Sequence, residues 1–301
     1  MTYPAIMPAI TLDFLNSRQL DPRIIFSRST EATYLNPDTG LITTADANQA
    51  RFEEEGLLLE ETRTNLFDQS QDVGTWSSPV WTNTNNVAIS PDGTQNAGSV
   101  VPDVGITTQS TGRSVTISTT GDYTCSVFAK TKGLTEFKLR NSSESAFPRA
   151  DFSLTGDGTA STTDGTASIE KYPNGWYRCI FTSNVATTGT FNWQVGTSEG
   201  AAASDGVNGF YVWNMQVEEG SFVTSPIPTN GTPGGGTRST DVVVVEGDNF
   251  SSWYNQSEGT IVVKYGTPTR ATGKVTRIIS FADSSSDTMS VGSGILYGTH
   301  Q

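Results

Sequence analysis

Catalysis by acid, base or nucleophile requires side chains that this sequence barely supplies. The sole histidine is His300, one residue from the C-terminus, so neither Ser-His-Asp or Cys-His chemistry nor a His-based zinc site is expected. A glycosidase needs two carboxylates about 5–10 Å apart in a cleft. Glu218 and Glu219 are the best-placed pair, but neighbours on a strand point to opposite faces. We therefore expect no catalytic residues and no enzyme.

Aromatic and amide side chains offer a different chemistry, the binding of sugars. An aromatic ring is a flat apolar platform for a sugar ring, and polar side chains at its rim supply hydrogen bonds. Trp76 and Trp81 lie in a polar stretch, and Trp193 is flanked by two amides. The glycan-binding candidates are Trp76, Trp81, Trp193, Asn192 and Gln194, with Asn83 and Asn85 as further hydrogen-bonding groups. The alternative for each tryptophan is a place in the core.

No cofactor is expected, although a bound structural calcium ion is an alternative. Calcium prefers six to eight oxygen ligands, and the turns around Asp92, Asp157 and Asp205 could contribute some. Ordinary Asp-Gly turns explain Asp92 and Asp157 without a metal, so no metal ligand is assigned. The two cysteines, Cys125 and Cys179, are expected to be buried free thiols, with a disulfide between them as the alternative.

The charge composition argues against several classes of partner. The net charge is −13 and Lys and Arg form no cluster, so a phosphate-binding surface for nucleic acid is not expected. No apolar run approaches the roughly 20 residues of a transmembrane helix, so membrane insertion is not expected either. The opening residues MTYPAIMPAITLDF lack the basic and apolar regions of a secretory signal.

The elements that must position these residues are strands. Charged residues make up 16%, against a usual level of about 25%, which disfavours long amphipathic helices. Apolar and polar residues alternate with period two, as in residues 191–195, where Phe191, Trp193 and Val195 share one face and Asn192 and Gln194 the other. About ten such strands between residues 67 and 229 predict a jelly roll.

The flanking regions complete the predicted domain organisation of a mainly β protein. Residues 1–66 form a small N-terminal segment, with a hairpin around Asn36-Pro37-Asp38-Thr39-Gly40. Residues 230–252 are a glycine-rich linker and a connecting strand. Residues 253–301 are a partial β-sandwich, too short to be a complete one.

Four segments of the chain carry a resemblance to a known family. They are DPRIIFSRSTEATYLNPDTGLITTADANQARFEEEGLLLEETRTNLF, GWYR, YVWNMQVEEGSFVTSPIPTNG and TRSTDVV. The chain resembles bacteriophage tail fibre or virion appendage proteins, in which a carbohydrate-binding-module-like jelly roll is followed by a concanavalin-like lectin segment. Pro226 departs from the family pattern, which usually has tyrosine there. The family's framework motifs place Trp176 and Trp213 in the core.

The resemblance implies a structural protein of the virion, on its external surface or tail, assembled in the host cytoplasm. It also implies that residues 1–66 attach the chain to the particle or join modules. Other virion proteins and two further copies of the chain in a homotrimer would be its partners, with host-surface polysaccharide as a possible ligand. Two alternatives stay open. One is a carbohydrate-binding module of a secreted or cell-surface enzyme, and the other is a capsid or collar decoration scaffold without ligand.

Overall fold

The protein is built almost entirely of β-strands. The computed structural model describes residues 9–107, 110–141, 148–198, 201–255 and 257, and the backbone of three strands between residues 277 and 297. It divides into two compact units, Met1–Val263 and Lys264–Gln301. The strands are β1 Ile25–Ser27, β2 Ala32–Leu35, β3 Ile42–Ala45, β4 Arg51–Glu53, β5 Gly56–Leu58, β6 Arg63–Asn65, β7 Trp81–Ala88, β8 Ala97–Pro102, β9 Ser110–Ile117, β10 Gly121–Lys132, β11 Glu136–Asn141, β12 Arg149–Ser153, β13 Thr159–Thr162, β14 Thr166–Lys171, β15 Tyr177–Val185, β16 Gly189–Thr197, β17 Gly209–Glu219, β18 Gly236–Arg238, β19 Val242–Val244, β20 Arg277–Ala282, β21 Thr288–Gly292 and β22 Ile295–Tyr297. The mainly β prediction is confirmed.

Two antiparallel sheets form the centre of the larger unit. One has six strands in the order β14-β15-β10-β17-β8-β7, and the other has five in the order β13-β12-β11-β16-β9. Neighbours in each sheet are mostly distant in sequence, as they are when the chain crosses between two packed sheets. The result is the predicted jelly-roll β-sandwich.

The main core lies between these two sheets because strand residues alternate in direction. On β10, Cys125 and Val127 are fully buried and face this core. Phe137 of β11 and Phe210 of β17 meet across the two sheets, with ring centroids 5.0 Å apart and the rings nearly perpendicular. Burying each such ring stabilises the fold by about 1.5–3 kcal/mol relative to leaving it exposed.

The N-terminal segment covers the outer face of the six-stranded sheet. Ile42 of β3 packs in a second apolar cluster with Phe128, Trp176 and Trp213, and Leu35 of β2 packs against that cluster. The hairpin formed by β2 and β3 confirms the one predicted around Asn36–Gly40. Its turn closes through a hydrogen bond from the Gly40 amide to the Asn36 carbonyl at 2.8 Å, and Gly40 adopts a φ of +67° that suits glycine.

A buried ionic cluster fastens the N-terminal segment to the chain beyond the jelly roll. We use this name for Arg28, Arg51, Glu60, Arg238 and Asp241. Asp241 accepts from Arg28 at 3.0 Å and from Arg51 at 2.5 Å, and all three side chains are fully buried. Glu60 accepts from Arg51 at 2.7 Å and from Arg238 at 3.1 Å.

The region expected to be a linker is part of this packing. Strand β18 pairs with β6, and strand β19 pairs with β1, both antiparallel. Residues 236–244 therefore belong to the same compact unit as the N-terminal segment and the jelly roll. Paired strands and buried ion pairs connect residues on either side of positions 66 and 229, within the compact unit Met1–Val263.

The C-terminal unit is described through its strands alone. Strands β20, β21 and β22 form an antiparallel sheet in that order. The strand predicted within residues 274–283 is confirmed by β20, whereas most of the run predicted at residues 257–266 lies outside the described residues. A four-residue helix, α1 (Asp248–Ser251), precedes this unit. Across the described part of the chain, no helix is long and apolar enough to cross a membrane.

Candidate functional site

A polar groove lies on the outer face of the five-stranded sheet, and two predicted site residues line it. Asn192 and Gln194 alternate along β16 with Phe191, Trp193 and Val195, which are buried in the main core. The two amides therefore point away from the core and are partly exposed. The prediction that residues 192 and 194 share the face of β16 opposite to residues 191, 193 and 195 is confirmed.

Strand register brings further polar groups to these amides. Ser114 of β9 lies opposite Asn192, and Arg140 of β11 lies opposite Gln194 on the other side. The Ser114 hydroxyl donates to Asn192 Oδ1 at 2.5 Å, and Arg140 Nε donates to Gln194 Oε1 at 3.1 Å. These bonds hold both amide oxygens in place.

The segment before β7 forms the rim of the groove. The Ser77 amide donates to the Gly112 carbonyl at 2.8 Å and so anchors this segment to β9. Arg113 is held by Asp68, at 2.9 Å from its Nε, and by the Thr75 carbonyl. The groove has a volume of about 310 Å³, within the roughly 300–1,000 Å³ of typical ligand sites. Its lining is Ser77, Ser78, Pro79, Ser110, Gly112, Arg113, Ser114, Arg140, Asn192 and Gln194.

Two small residues, Gly112 and Ser110, form part of the lining. A Cβ added to Gly112 would lie 2.1 Å from the Trp193 carbonyl oxygen, so any larger residue would push β9 away from β16. Ser110 is 5% exposed, and its hydroxyl has no hydrogen-bond partner within the described ranges. A buried polar atom without a partner is costly, which marks this position as one that a ligand or a water molecule would satisfy.

The prediction that Trp76, Trp81 and Trp193 are exposed platforms for a sugar ring is wrong. Trp76, Trp81 and Trp193 are 4%, 6% and 0% exposed and all belong to the main core. Trp193 shares its face of β16 with Phe191 and Val195, so the pleat turns it inward. Trp76 packs edge-on against Phe67 with centroids 5.5 Å apart, and its indole N–H donates to the Gln69 carbonyl at 3.0 Å. None of these rings can stack on a sugar.

The neighbouring asparagines hold loops instead of lining the groove. Asn83 donates to the Trp76 carbonyl at 3.1 Å and to the Thr111 hydroxyl at 2.9 Å. Asn85 accepts from the Gly74 amide at 2.9 Å and donates to Asp72. The core positions expected for Trp176 and Trp213 are confirmed, since these rings are 1% and 2% exposed.

The aspartates considered for calcium bind groups of the protein itself. Asp92 accepts hydrogen bonds from Ser90, Thr94 and Asn96. Burial alone would raise the pKa of Asp92, but these hydrogen bonds outweigh it and hold the pKa below its usual value.

Asp157 and Asp205 also interact with groups of the protein itself. Asp157 pairs with Lys171 at 2.9 Å. Asp205 accepts from the amides of Val207 and Asn208, and the hydrogen bonds from Asn208 and Val207 lower its pKa. In the part of the chain that the structure describes, no three His, Cys, Asp or Glu side chains cluster as metal ligands would.

Glu218 and Glu219 lie on opposite faces of β17, as the strand pattern predicts. Glu218 is fully buried and accepts from the Thr224 amide at 3.1 Å and from the Thr224 hydroxyl, whereas Glu219 is exposed. Cys125 and Cys179 are free and buried, which confirms the prediction for them. Burial raises the pKa of both thiols, so neither is activated as a nucleophile.

Sequence reasoning missed Arg140 and Ser110. The signal for Arg140 was present, because Glu136, Lys138 and Arg140 alternate with Phe137 and Leu139 along β11. Which strand lies beside β16 was not readable, since β11 and β16 are separated by about 50 residues and meet only in the folded sheet. The same holds for Ser110 on β9.

Comparison with known proteins does not assign this chain to a family. No family model matches it, and no curated protein matches it. One similar solved structure contains the CBM22-1 and GH10 modules of the N-terminal endo-1,4-β-D-xylanase 10B from Clostridium thermocellum, complexed with xylohexaose. The match covers 56% of this chain and 30% of that chain, with 15% identity and a TM-score of 0.32. At that TM-score the likeness carries no inference about ligand or activity.

Proposed function

We propose that this chain is a non-catalytic carbohydrate-binding protein of a bacteriophage tail fibre or surface appendage. The groove on the five-stranded sheet is the observation that carries the binding part of the proposal. Its amides, guanidinium groups and hydroxyls are donors and acceptors of the kinds that bind sugar hydroxyls. They project from paired strands, which hold them more rigidly than loops would.

The position of the N-terminal segment supports the outer face of the five-stranded sheet as the binding surface. The outer face of the six-stranded sheet is covered by β2 and β3 and by the apolar cluster beneath them. The outer face of the five-stranded sheet carries Ser114, which is exposed, and Asn192 and Gln194, which are partly exposed. A polysaccharide chain lying along this second face would cross several strands.

The virion context of the proposal rests on the resemblance of the sequence motifs. In that context the partners are other virion proteins and two further copies of the chain, and the location is the particle's external surface or tail. The net charge of −13 suits a protein that stays soluble outside the cell. Mass spectrometry of purified particles tests this context, and particles that lack the chain would refute it.

A glycan array of bacterial surface polysaccharides, probed with the full chain, tests the binding. We expect the double variant Asn192→Ala/Gln194→Ala to bind the best polysaccharide about 10–100-fold more weakly, as the loss of two hydrogen bonds implies. The matched control is Thr166→Ala/Ser168→Ala, which removes two exposed side chains from β14 in the other sheet.

The two variants give a clear decision. Weaker binding by the Asn192/Gln194 variant together with unchanged binding by the control would support the groove. Equal binding by both variants, or no binding by the wild type to any polysaccharide on the array, would refute it. Antibody against residues 67–229 on purified particles then separates a fibre from a capsid or collar decoration.

A further inference from the structure

A second and larger groove lies in the N-terminal segment, on the opposite side of the sandwich from the first. Its volume is about 590 Å³, and its lining includes Arg18, Tyr34, Asn36, Asp38, Gln49 and Phe52. These side chains come from the turn before β1, from the β2–β3 hairpin and from β4 with the loop before it. The groove shares no residue with the groove on the five-stranded sheet.

Two aromatic rings stand in the lining of this groove. Tyr34 on β2 and Phe52 on β4 are both only partly buried. Phe14 packs against Phe52, with ring centroids 6.3 Å apart, and steadies it. The Tyr34 hydroxyl forms no hydrogen bond with any residue that the structure describes. Rings of this kind give the apolar surface against which the C–H face of a sugar packs, and the phenol adds a polar tip.

Two amides in the lining present nitrogen donors in a fixed orientation. The Asn36 side-chain oxygen accepts from the Asp38 amide at 2.9 Å, and the Gln49 side-chain oxygen accepts from the Asp46 amide at 3.0 Å. These backbone bonds decide which end of each side-chain amide is oxygen. The Asn36 Nδ2 and Gln49 Nε2 groups have no partner among the described residues, so both can donate to a ligand.

An ion pair and a strained residue complete the groove. Arg18 Nη1 lies 2.6 Å from Asp38 Oδ1 and joins the first turn to the hairpin. Arg18 has a φ of +47°, in the left-handed region that residues other than glycine rarely adopt. Such backbone strain persists where surrounding structure holds it and is concentrated at ligand sites.

We infer that this groove is a second carbohydrate subsite, which takes a pyranose unit of a polysaccharide. One sugar face packs on Tyr34 and Phe52, and its hydroxyl or ring oxygens accept from Gln49 and Asn36. This inference stands independently of the first groove, since the two sites use different residues on opposite faces. A chain with both sites would hold two stretches of polysaccharide at once, and avidity would strengthen weak single contacts.

Nuclear magnetic resonance of the full chain tests this inference at the groove itself. The probes are the methyl glycosides of glucose, galactose, mannose and N-acetylglucosamine, each added to millimolar concentration. We expect at least one of them to shift the side-chain amide resonances of Gln49 and Asn36 in a saturable way. Gln49→Glu keeps the oxygen that accepts from the Asp46 amide and removes the donor, so it should weaken binding at least tenfold. Tyr34→Ala should do the same by removing the ring.

Matched controls separate a local loss of binding from general damage. Gln71→Glu adds the same charge outside the groove, and Tyr254→Ala removes an exposed ring outside it. Binding that survives both controls and fails in Gln49→Glu and Tyr34→Ala would support the subsite. If no glycoside shifts these amides, or if the shifts persist in both groove variants, the inference is wrong.

The Asn192→Ala/Gln194→Ala variant distinguishes this inference from the proposed function. Amide shifts at Gln49 that persist in that variant would support the N-terminal subsite whatever the first groove does. Polysaccharide binding that depends on Asn192 and Gln194 but not on Tyr34 or Gln49 would leave the proposed function standing and remove the second subsite.

Discussion

At the scale of single residues, the direction of a side chain decides whether it builds the core or a site. Trp193 and its neighbours Asn192 and Gln194 are adjacent in sequence, yet the pleat of β16 sends the indole inward and the amides outward. The structure therefore gives Trp193 a role in stability. The proposed binding rests instead on the amides beside it.

Replacing Trp193 tests this division. We expect Trp193→Ala to lower the free energy of unfolding by about 3–5 kcal/mol, because it leaves a large cavity between the two sheets. Urea denaturation followed by circular dichroism measures the loss. Trp253→Ala serves as the control, because Trp253 lies just after α1 and is partly exposed. An unchanged midpoint for Trp193→Ala would contradict the assignment of this residue to the core.

At the scale of elements, the buried ionic cluster explains why three separate parts of the chain form one unit. Arg28 and Arg51 come from the N-terminal segment, and Asp241 comes from the turn between β18 and β19. Glu60 also accepts from the Ser225 amide at 2.7 Å, which adds the chain that follows β17. The cluster therefore joins the N-terminal segment, the chain after β17 and the turn between β18 and β19.

The substitution Asp241→Asn tests the weight of the cluster. It leaves two buried guanidinium groups without a carboxylate at this position, and breaking a buried pair in this way costs about 3–5 kcal/mol. We expect a correspondingly lower urea midpoint. Asp248→Asn, an exposed acid at the start of α1, should leave the midpoint unchanged. Equal stability of the two variants would show that the cluster contributes little.

At the scale of the whole molecule, buried carboxylates make stability depend on pH. Burial by itself would raise the pKa of Glu60, but Arg238 and Arg51 outweigh it and hold the pKa below its usual value. A carboxyl group whose pKa is lower in the folded state stabilises the fold at pH values above the pKa that the group has in the unfolded chain. For glutamate that unfolded pKa is about 4.3. That stabilisation disappears as the pH falls through the lower, folded value. Glu53 behaves oppositely, because burial raises its pKa.

Comparison of the wild type with Glu60→Gln isolates this contribution. We expect the wild type to be more stable than the variant at pH 7, and the difference to shrink as the pH falls below about 4.3. Urea unfolding at a series of pH values measures it. Glu54→Gln, at an exposed position, should follow the wild type throughout. A difference between wild type and Glu60→Gln that stays constant with pH would contradict the role of the Glu60 charge.

Local patterns in the sequence were enough to establish the class of fold and much of its local structure. Period-two alternation identified the strands, and the Asn-Pro-Asp-Thr-Gly run identified the β2–β3 hairpin, because both depend on backbone geometry over a few residues. The same alternation placed Asn192 and Gln194 on the face opposite to Phe191, Trp193 and Val195. Cys125 and Cys179 were expected to behave as small buried hydrophobic residues, and they do.

Only the tertiary structure decided which strands lie side by side and which polar residues are buried. Arg140 and Ser110 reach the groove through pairings with β16 that span tens of residues, and local periodicity carries no information about such register. The glycine-rich residues within 230–252 predicted a linker, because composition indicates how flexible a segment is but not which strands it pairs with. The charges that fix residues 238–241 come from Arg28, Arg51 and Glu60, about 180–210 residues earlier, and become partners only when the chain folds.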